Sequence, residues 1–269
     1  MLEEDPDTRF LQSVTNQIEG WLFEPAAHIT QRLLRKQELN GNNKPLLEIG
    51  VYAGKYLSLL MASAARTDAK VVGIDTFEHK PIEAVKETIA KLMPQLASTV
   101  TLYPESSRSF STDRLIGVLG RKARFISVNG SQQYIDVLHD LVLCNDALDD
   151  SGIIAVDGFL NPRAMEVNRA VNVFMEHNSS RTRPPDLEGF AYVTNKLFLA
   201  RHEAATTYRG FVDSLLTQDK ESDYGRFFNE QMAIGRVLVE QPFFGASVIV
   251  LAPSRVSSSG AMPDFARAR

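Results

Sequence analysis

The sequence has one cysteine, one tryptophan, five histidines and no excess of positive charge. A lone thiol, Cys144, can form neither an internal disulfide nor a thiolate metal cluster, which excludes a disulfide-built scaffold and suits a reducing, cytoplasmic setting. Lys and Arg number 29 against 33 Asp and Glu, a net charge of −4. No whole-chain positive field therefore draws nucleic acid or anionic lipid. The apolar stretches stop short of the ~18 residues that a membrane-spanning helix needs, and the opening MLEEDPD is acidic where a secretory signal is basic. There is no internal repeat and no Pro or Gly excess. What is there is an ordinary globular composition, 44% hydrophobic and 23% charged over 269 residues, enough for one large domain with additions.

Between residues 44 and 157 short aliphatic runs alternate with amphipathic stretches. The runs PLLEIG (45–50), KVVGID (70–75), TVTLY (99–103), ARFISV (123–128) and GIIAVD (152–157) read as strands buried on both faces. Lys55–Ala65, Pro81–Leu92, Ser107–Leu119, Gln132–Leu148 and Pro162–His177 read as the helices between them. Five βα units in succession predict an α/β fold with a doubly wound, mostly parallel sheet, and FAYVTNKLFLA (190–200) and ASVIVLAP (246–253) bring the expected total to seven strands. Residues 1–43 are expected to form a helical cover of two helices with a break at Pro25, packed with a helical insertion over 201–245 around Trp21, Leu22 and Phe23 as one apolar cover or as a homodimer interface. NSSRTRPPDLE, after His177, reads as a loop, and 255–269 as a loose tail beyond an α/β domain of residues 44–254.

In doubly wound sheets ligands bind beyond the carboxyl ends of the strands. The first strand ends Glu48-Ile49-Gly50-Val51-Tyr52-Ala53-Gly54, where the glycines permit a tight turn and a close ligand approach. A dinucleotide-binding turn needs a further glycine in the middle, where Tyr52 stands, so a nicotinamide-dependent oxidoreductase is disfavoured. The second strand ends in Asp75-Thr76, with a carboxylate able to accept from two ribose hydroxyls. The third is followed by Glu105, Ser106 and Ser107, polar groups suited to an adenine edge, and the fourth ends at Asn129.

This ordered series resembles the class I S-adenosylmethionine-dependent methyltransferases. LLEIGVYAGKY and VTLYPESS are similar to the catechol O-methyltransferase type, and EGWL, FISVNGSQQYIDVLHDL, GIIAVDGFLNP and NKLFLA resemble a bacterial group related to macrolide-sugar O-methyltransferases. The resemblance spans roughly residues 19–200. It implies the Rossmann-like methyltransferase fold and S-adenosylmethionine as cofactor, held by Glu48, Gly50, Tyr52, Gly54, Asp75, Thr76, Glu105, Ser106, Ser107 and Asn129. Tyr52 would lie near the sulfonium, and Ser107 takes the adenine-contacting serine position.

The departures from that family concern its chemistry. Relatives end the fourth strand D-G-x-H-x-Y and the fifth D-D or D-N, supplying a divalent cation site and a general base. Here the segments read Asn129-Gly130-Ser131-Gln132-Gln133-Tyr134 and Asp157-Gly158. Only Asp157 keeps a carboxylate, which argues against a divalent metal, and Gln132 can orient a hydroxyl but does not titrate. Asp157, Gln132 and, in the loop after Asp75, His79 are the catalytic candidates. His28 reads as a helix-surface residue, His139 and His177 as helix residues, Tyr134 as packing beneath the cofactor, and Cys144 as a buried small hydrophobe. Two functions follow: a methyltransferase acting on a small-molecule hydroxyl without a metal, or a protein that keeps the cofactor pocket but no longer methylates.

Overall fold

In the computed structural model, which describes residues 5–181, 186–219, 221–234 and 236–253, the five expected runs form β1 (Leu46–Ile49), β2 (Val71–Asp75), β3 (Val100–Pro104), β4 (Ala123–Val128) and β5 (Leu148–Asp157). They pair in parallel in the order β3-β2-β1-β4-β5. The chain winds outward from β1 through β3 and returns to the other side of β1 with β4. The crevice where the order reverses opens at the carboxyl ends of β1 and β4, which is where such a sheet takes its ligand.

Two helical layers cover the sheet, and residue parity sorts the core between them. Leu46 faces the layer that holds α2 (Glu24–Leu39), α3 (Lys55–Thr67), α4 (Ile82–Leu92) and α8 (His202–Thr217). Leu47 and Ile49 face α5 (Thr112–Leu119), α6 (Tyr134–Ala147) and α7 (Met165–Arg181). Each such buried Leu or Ile contributes about 1.5–3 kcal/mol relative to exposure. At the amino end of the sheet, the buried guanidinium of Arg124 donates to Gln37 of α2 and to Ser63 of α3, and burial pushes its pKa down to about 10.

Among the described residues the sheet has nine strands, two more than expected. Residues 190–200 fold as a hairpin of β6 (Leu187–Val193) and β7 (Lys196–Arg201), joined by Thr194 and Asn195 at positive φ. A two-residue turn of this kind usually announces itself with glycine. Thr-Asn lacks that mark, and both strands are buried, so the sequence reads as one run. The expected insertion is helical only through α8 and α9 (Asp223–Ala233); residues 236–243 form β8 (Arg236–Phe243), paired antiparallel with β9 (Ala246–Pro253) around Phe244-Gly245. β9 joins β6 in parallel, completing β5-β7-β6-β9-β8.

Several helix bounds differ, and α7 begins at Met165, so that Pro162 is not in its first turn. The helix expected from Ser107 begins at Thr112, where the Ser111 hydroxyl caps the Arg114 N–H at 3.2 Å. α7 runs through Arg181, taking in part of the expected loop, whose residues 182–185 lie outside the described residues, as does the tail at 255–269. α1 (Pro6–Ser13) ends well before α2 starts, and Pro25 sits in the first turn of α2, where its missing N–H is tolerated.

The N-terminal helices do pack against the insertion. The Asp5 N–H donates to Asp223 at 2.7 Å, the Tyr224 hydroxyl donates to Asp5 at 3.0 Å, and His28 lies against Tyr224 and Phe227. His28 is therefore 3% exposed and not the surface residue expected. Trp21, expected at the centre of this packing, is 90% exposed instead. Its neighbours Gly20 and Glu19 are drawn toward the β1–α3 turn, which leaves the indole outside the helix contacts. Among the described residues no helix is long and apolar enough to cross a membrane.

Candidate active site

The turn between β1 and α3 is built on a close approach of two strand ends. The Asn129 N–H donates to the Ile49 carbonyl at 2.8 Å and the Gly50 N–H to the Ile74 carbonyl at 2.9 Å. A Cβ on Gly50 would fall 2.1 Å from the Asn129 carbonyl oxygen, and its φ is +86°. Only glycine fits there, because the β4 backbone fills the space that a Cβ would take. Tyr52 also has positive φ, and its N–H donates to Asp75 Oδ2 at 2.8 Å, while Asp75 Oδ1 accepts from Phe77 at 2.7 Å. Asp75 thus braces the turn as well as facing the crevice; each oxygen keeps a second lone pair for a ligand.

Beneath the turn, Glu48 is 1% exposed. Burial pushes its carboxyl well above the usual carboxylate range, with Lys196 pulling the other way, and its Oε2 has no hydrogen-bond partner. A buried, unpartnered acceptor of this kind fits an amino-bearing ligand tail. Above the turn, the Tyr52 hydroxyl donates to Glu19, which also accepts from Lys80 at 2.8 Å. Glu19 is held below the usual carboxylate range by Lys80 first and Tyr52 second. The segment around Glu19 is thereby strapped across the site, a contact that the spacing of residues did not reveal.

At the end of β3, Glu105 is engaged by Arg114 at 2.7 and 2.9 Å and by Ser109 at 2.9 Å. Ser106 caps the short turn that follows by accepting from Arg108. Ser107 donates to Asp140, whose buried carboxyl is raised by desolvation against that bond. Thr76 is exposed at the mouth.

The ends of β4 and β5 enclose a small cleft, with room for about one water, lined by Val128, Asn129, Gly130, Ser131, Gln132, Val137, Val156, Asp157 and Val167. The structure thus brings Asn129, Gln132 and Asp157 together. His79 stays exposed in the loop after β2 and does not line this cleft. Tyr134 lies under the Arg169 guanidinium at 4.2 Å, and Cys144 is buried with its thiol pushed well up by desolvation, as an inert packing residue should be.

Sequence reasoning missed the partners of Asp157. Its Oδ1 lies 2.9 Å from Lys196 Nζ, and its Oδ2 accepts from Asn195 at 3.2 Å. The signal was present: Asn195-Lys196 interrupts an otherwise apolar run. These neighbours do not fit a divalent ion, because the one carboxylate of the cleft is already paired with an ammonium, Asn129 brings only a neutral amide and Gly158 no side chain. Among the described residues no group of three His, Cys, Asp or Glu could hold a metal.

Residues 47–159 match the model of a family described as Methyltransferase domain. Among solved structures, a candidate O-methyltransferase from Klebsiella pneumoniae superposes with a TM-score of 0.50 at 21% identity, over 75% of this chain and 91% of that one. An O-methyltransferase from Bacillus cereus in complex with S-adenosylhomocysteine gives 0.52 at 14% identity, over 74% and 91%. The MycE methyltransferase of the mycinamycin pathway, in complex with Mg and S-adenosylhomocysteine, gives 0.51 at 13% identity, over 74% of this chain and 55% of MycE. No curated protein matches the chain. The resemblance to class I S-adenosylmethionine-dependent methyltransferases stands on the family match, and the neighbours share the fold.

Proposed function

We propose, for a chain whose residues 47–159 match the model of a methyltransferase domain, that it transfers a methyl group from S-adenosylmethionine to a hydroxyl of a small molecule, in the cytoplasm and without a divalent metal. The observation that carries this reading is the continuity of two half-sites. The Gly50–Asn129 approach brings the ends of β1 and β4 together beside Asp75, and Asn129 is also among the residues lining the cleft that Asp157 borders. A cofactor over the β1–α3 turn and an acceptor over the ends of β4 and β5 would meet beside Asn129.

Asp75 would hold the ribose hydroxyls, Glu48 and Gly50 the amino acid tail, and Tyr52 the region of the reacting group, with Gly54 shaping the turn. Ser107 and Thr76 border the adenine end; Glu105, engaged by Arg114, shapes that wall. When bound, S-adenosylmethionine supplies an electrophilic methyl on a positive sulfur. The chain's part is to align the acceptor and exclude water, which is where most of the acceleration of a displacement comes from. Gln132 orients the acceptor hydroxyl, and Asp157 stands on the cleft wall as the group to receive its proton. A carboxylate takes a proton more readily from an acidic hydroxyl than from an alkanol, so a phenol or enol suits this site better than an aliphatic alcohol. His79, outside the cleft, has no part in this reading.

The test is calorimetry with S-adenosylhomocysteine, followed by incubation with methyl-labelled S-adenosylmethionine and a panel of phenolic and aliphatic hydroxyl compounds. Binding with label transfer to a phenol supports the reading. Binding with no transfer to any acceptor favours a cofactor-holding protein that no longer methylates, and absence of binding ends the methyltransferase reading.

A further inference from the structure

Behind the cleft wall lies a buried ammonium that the fold alone does not require. Lys196 opens β7, is 2% exposed, and is followed by Leu197, Phe198 and Leu199, the residues expected of a buried strand. Its Nζ lies 2.9 Å from Asp157 Oδ1 and 4.2 Å from the centre of the Tyr56 ring. The strand register pairs Asp157 with Lys196 across β5 and β7. Lys196 shares parity with Phe198 and Ala200, and Glu48 with Leu46, so both project toward the same helical layer. Two further polar atoms on that side, Glu48 Oε2 and Ser127 Oγ, are buried without partners, and Glu48 and Ser127 are themselves register neighbours on β1 and β4. A buried charge persists only where it is paired. The carboxylate that pairs this one belongs to Asp157, a residue that borders the cleft.

We propose that Lys196 is the resident cation of this site: its ammonium fixes the Asp157 carboxylate at the cleft wall and occupies the place on Oδ1 that a divalent ion would need. Lys196 is thus a positioning residue, acting through Asp157 and covalently part of the chain, so the charge cannot be lost to chelation. The exclusion of a divalent ion follows from the ion pair itself; only the identity of what Asp157 orients rests on the methyltransferase reading.

The experiment is a Mn²⁺ titration followed by electron paramagnetic resonance on the full chain, with S-adenosylhomocysteine calorimetry run on every variant. The unaltered protein should leave the free Mn²⁺ signal unchanged, with and without S-adenosylhomocysteine. Lys196→Ala leaves Asp157 as an unpaired carboxylate that a hydrated ion can approach, and should raise the very weak Mn²⁺ affinity of the chain roughly tenfold; adding Asp157→Asn should abolish the gain. A merely structural lysine would not produce a cation site when removed. Stoichiometric Mn²⁺ binding by the unaltered protein that Asp157→Asn removes would overturn the proposal. So would a Lys196→Ala protein that melts cooperatively yet gains no Mn²⁺ binding. If Lys196→Ala does not fold, Lys196→Met, which keeps the stem volume, takes its place, and the measurement on the unaltered chain still decides. Failure of S-adenosylhomocysteine to bind the unaltered chain would sink the methyltransferase reading while leaving the Mn²⁺ comparison to judge Lys196.

Discussion

Asp75 and Tyr52 are joined by a hydrogen bond from the Tyr52 N–H to Asp75 Oδ2 at 2.8 Å, which ties the end of β2 to the turn after β1. One carboxylate therefore does two jobs, shaping the turn and presenting acceptors to the crevice. Asp75→Ala should weaken S-adenosylhomocysteine binding by roughly 30-fold or more, the loss of two hydrogen bonds to a charged group. Calorimetry reads this directly, and unchanged affinity would exclude the ribose pose.

Gly50 tests the approach of the two strand ends. From the sequence, a side chain at this position is expected to block the ligand and spare the fold. The structure changes that expectation, because a Cβ would lie 2.1 Å from the Asn129 carbonyl and the strand ends would have to separate. Gly50→Ala should lower the unfolding temperature by roughly 2–5 °C, from about 1–3 kcal/mol of strain, in addition to weakening the ligand. A thermal melt matching that of the unaltered protein would show the close approach to be misplaced.

The strap of Tyr52, Glu19 and Lys80 carries a pH dependence. The lowered pKa of Glu19 means its contribution is complete above the ordinary carboxylate value and fades as pH falls through the lowered one. The raised pKa of Lys80 means its contribution is complete below the ordinary lysine value and fades as pH climbs through the raised one. The strap should hold between roughly pH 4 and pH 10.5. Limited proteolysis around Glu19 should thus be slow at neutral pH and faster with an acid-active protease at about pH 3.5. Equal protection at both pH values would remove the ion pair from the account, and Tyr52→Phe should give partial loosening at neutral pH.

Methyl transfer, once an acceptor is found, should proceed at the same rate with EDTA as with added Mg²⁺. The triple change Asn129→Asp, Gly158→Asp and Gln132→His should not confer Mg²⁺ dependence while Lys196 remains, because the ammonium still holds Asp157. Inactivation of the unaltered protein by EDTA with recovery on Mg²⁺ would refute this description of the cleft.

The parallel half of the sheet was legible in the sequence because strands buried on both faces carry a continuous apolar signature, and the turn at Gly50 because its backbone geometry admits only glycine. Local chemistry also placed Asn129, Gln132 and Asp157 at neighbouring strand ends, since strand order alone brings those ends together. The antiparallel half was not legible: Thr194-Asn195 turns without glycine, and β8 is a strand only because β9 pairs with it. Nor could the pairing of Asp157 with Lys196 be read, because it depends on β7 lying beside β5 in register. Which residue types stand at the strand ends is a property of the chain in one dimension. Which charge faces which, and so whether a carboxylate is free to take a metal or is already held by an ammonium, is settled only when distant strands are packed side by side.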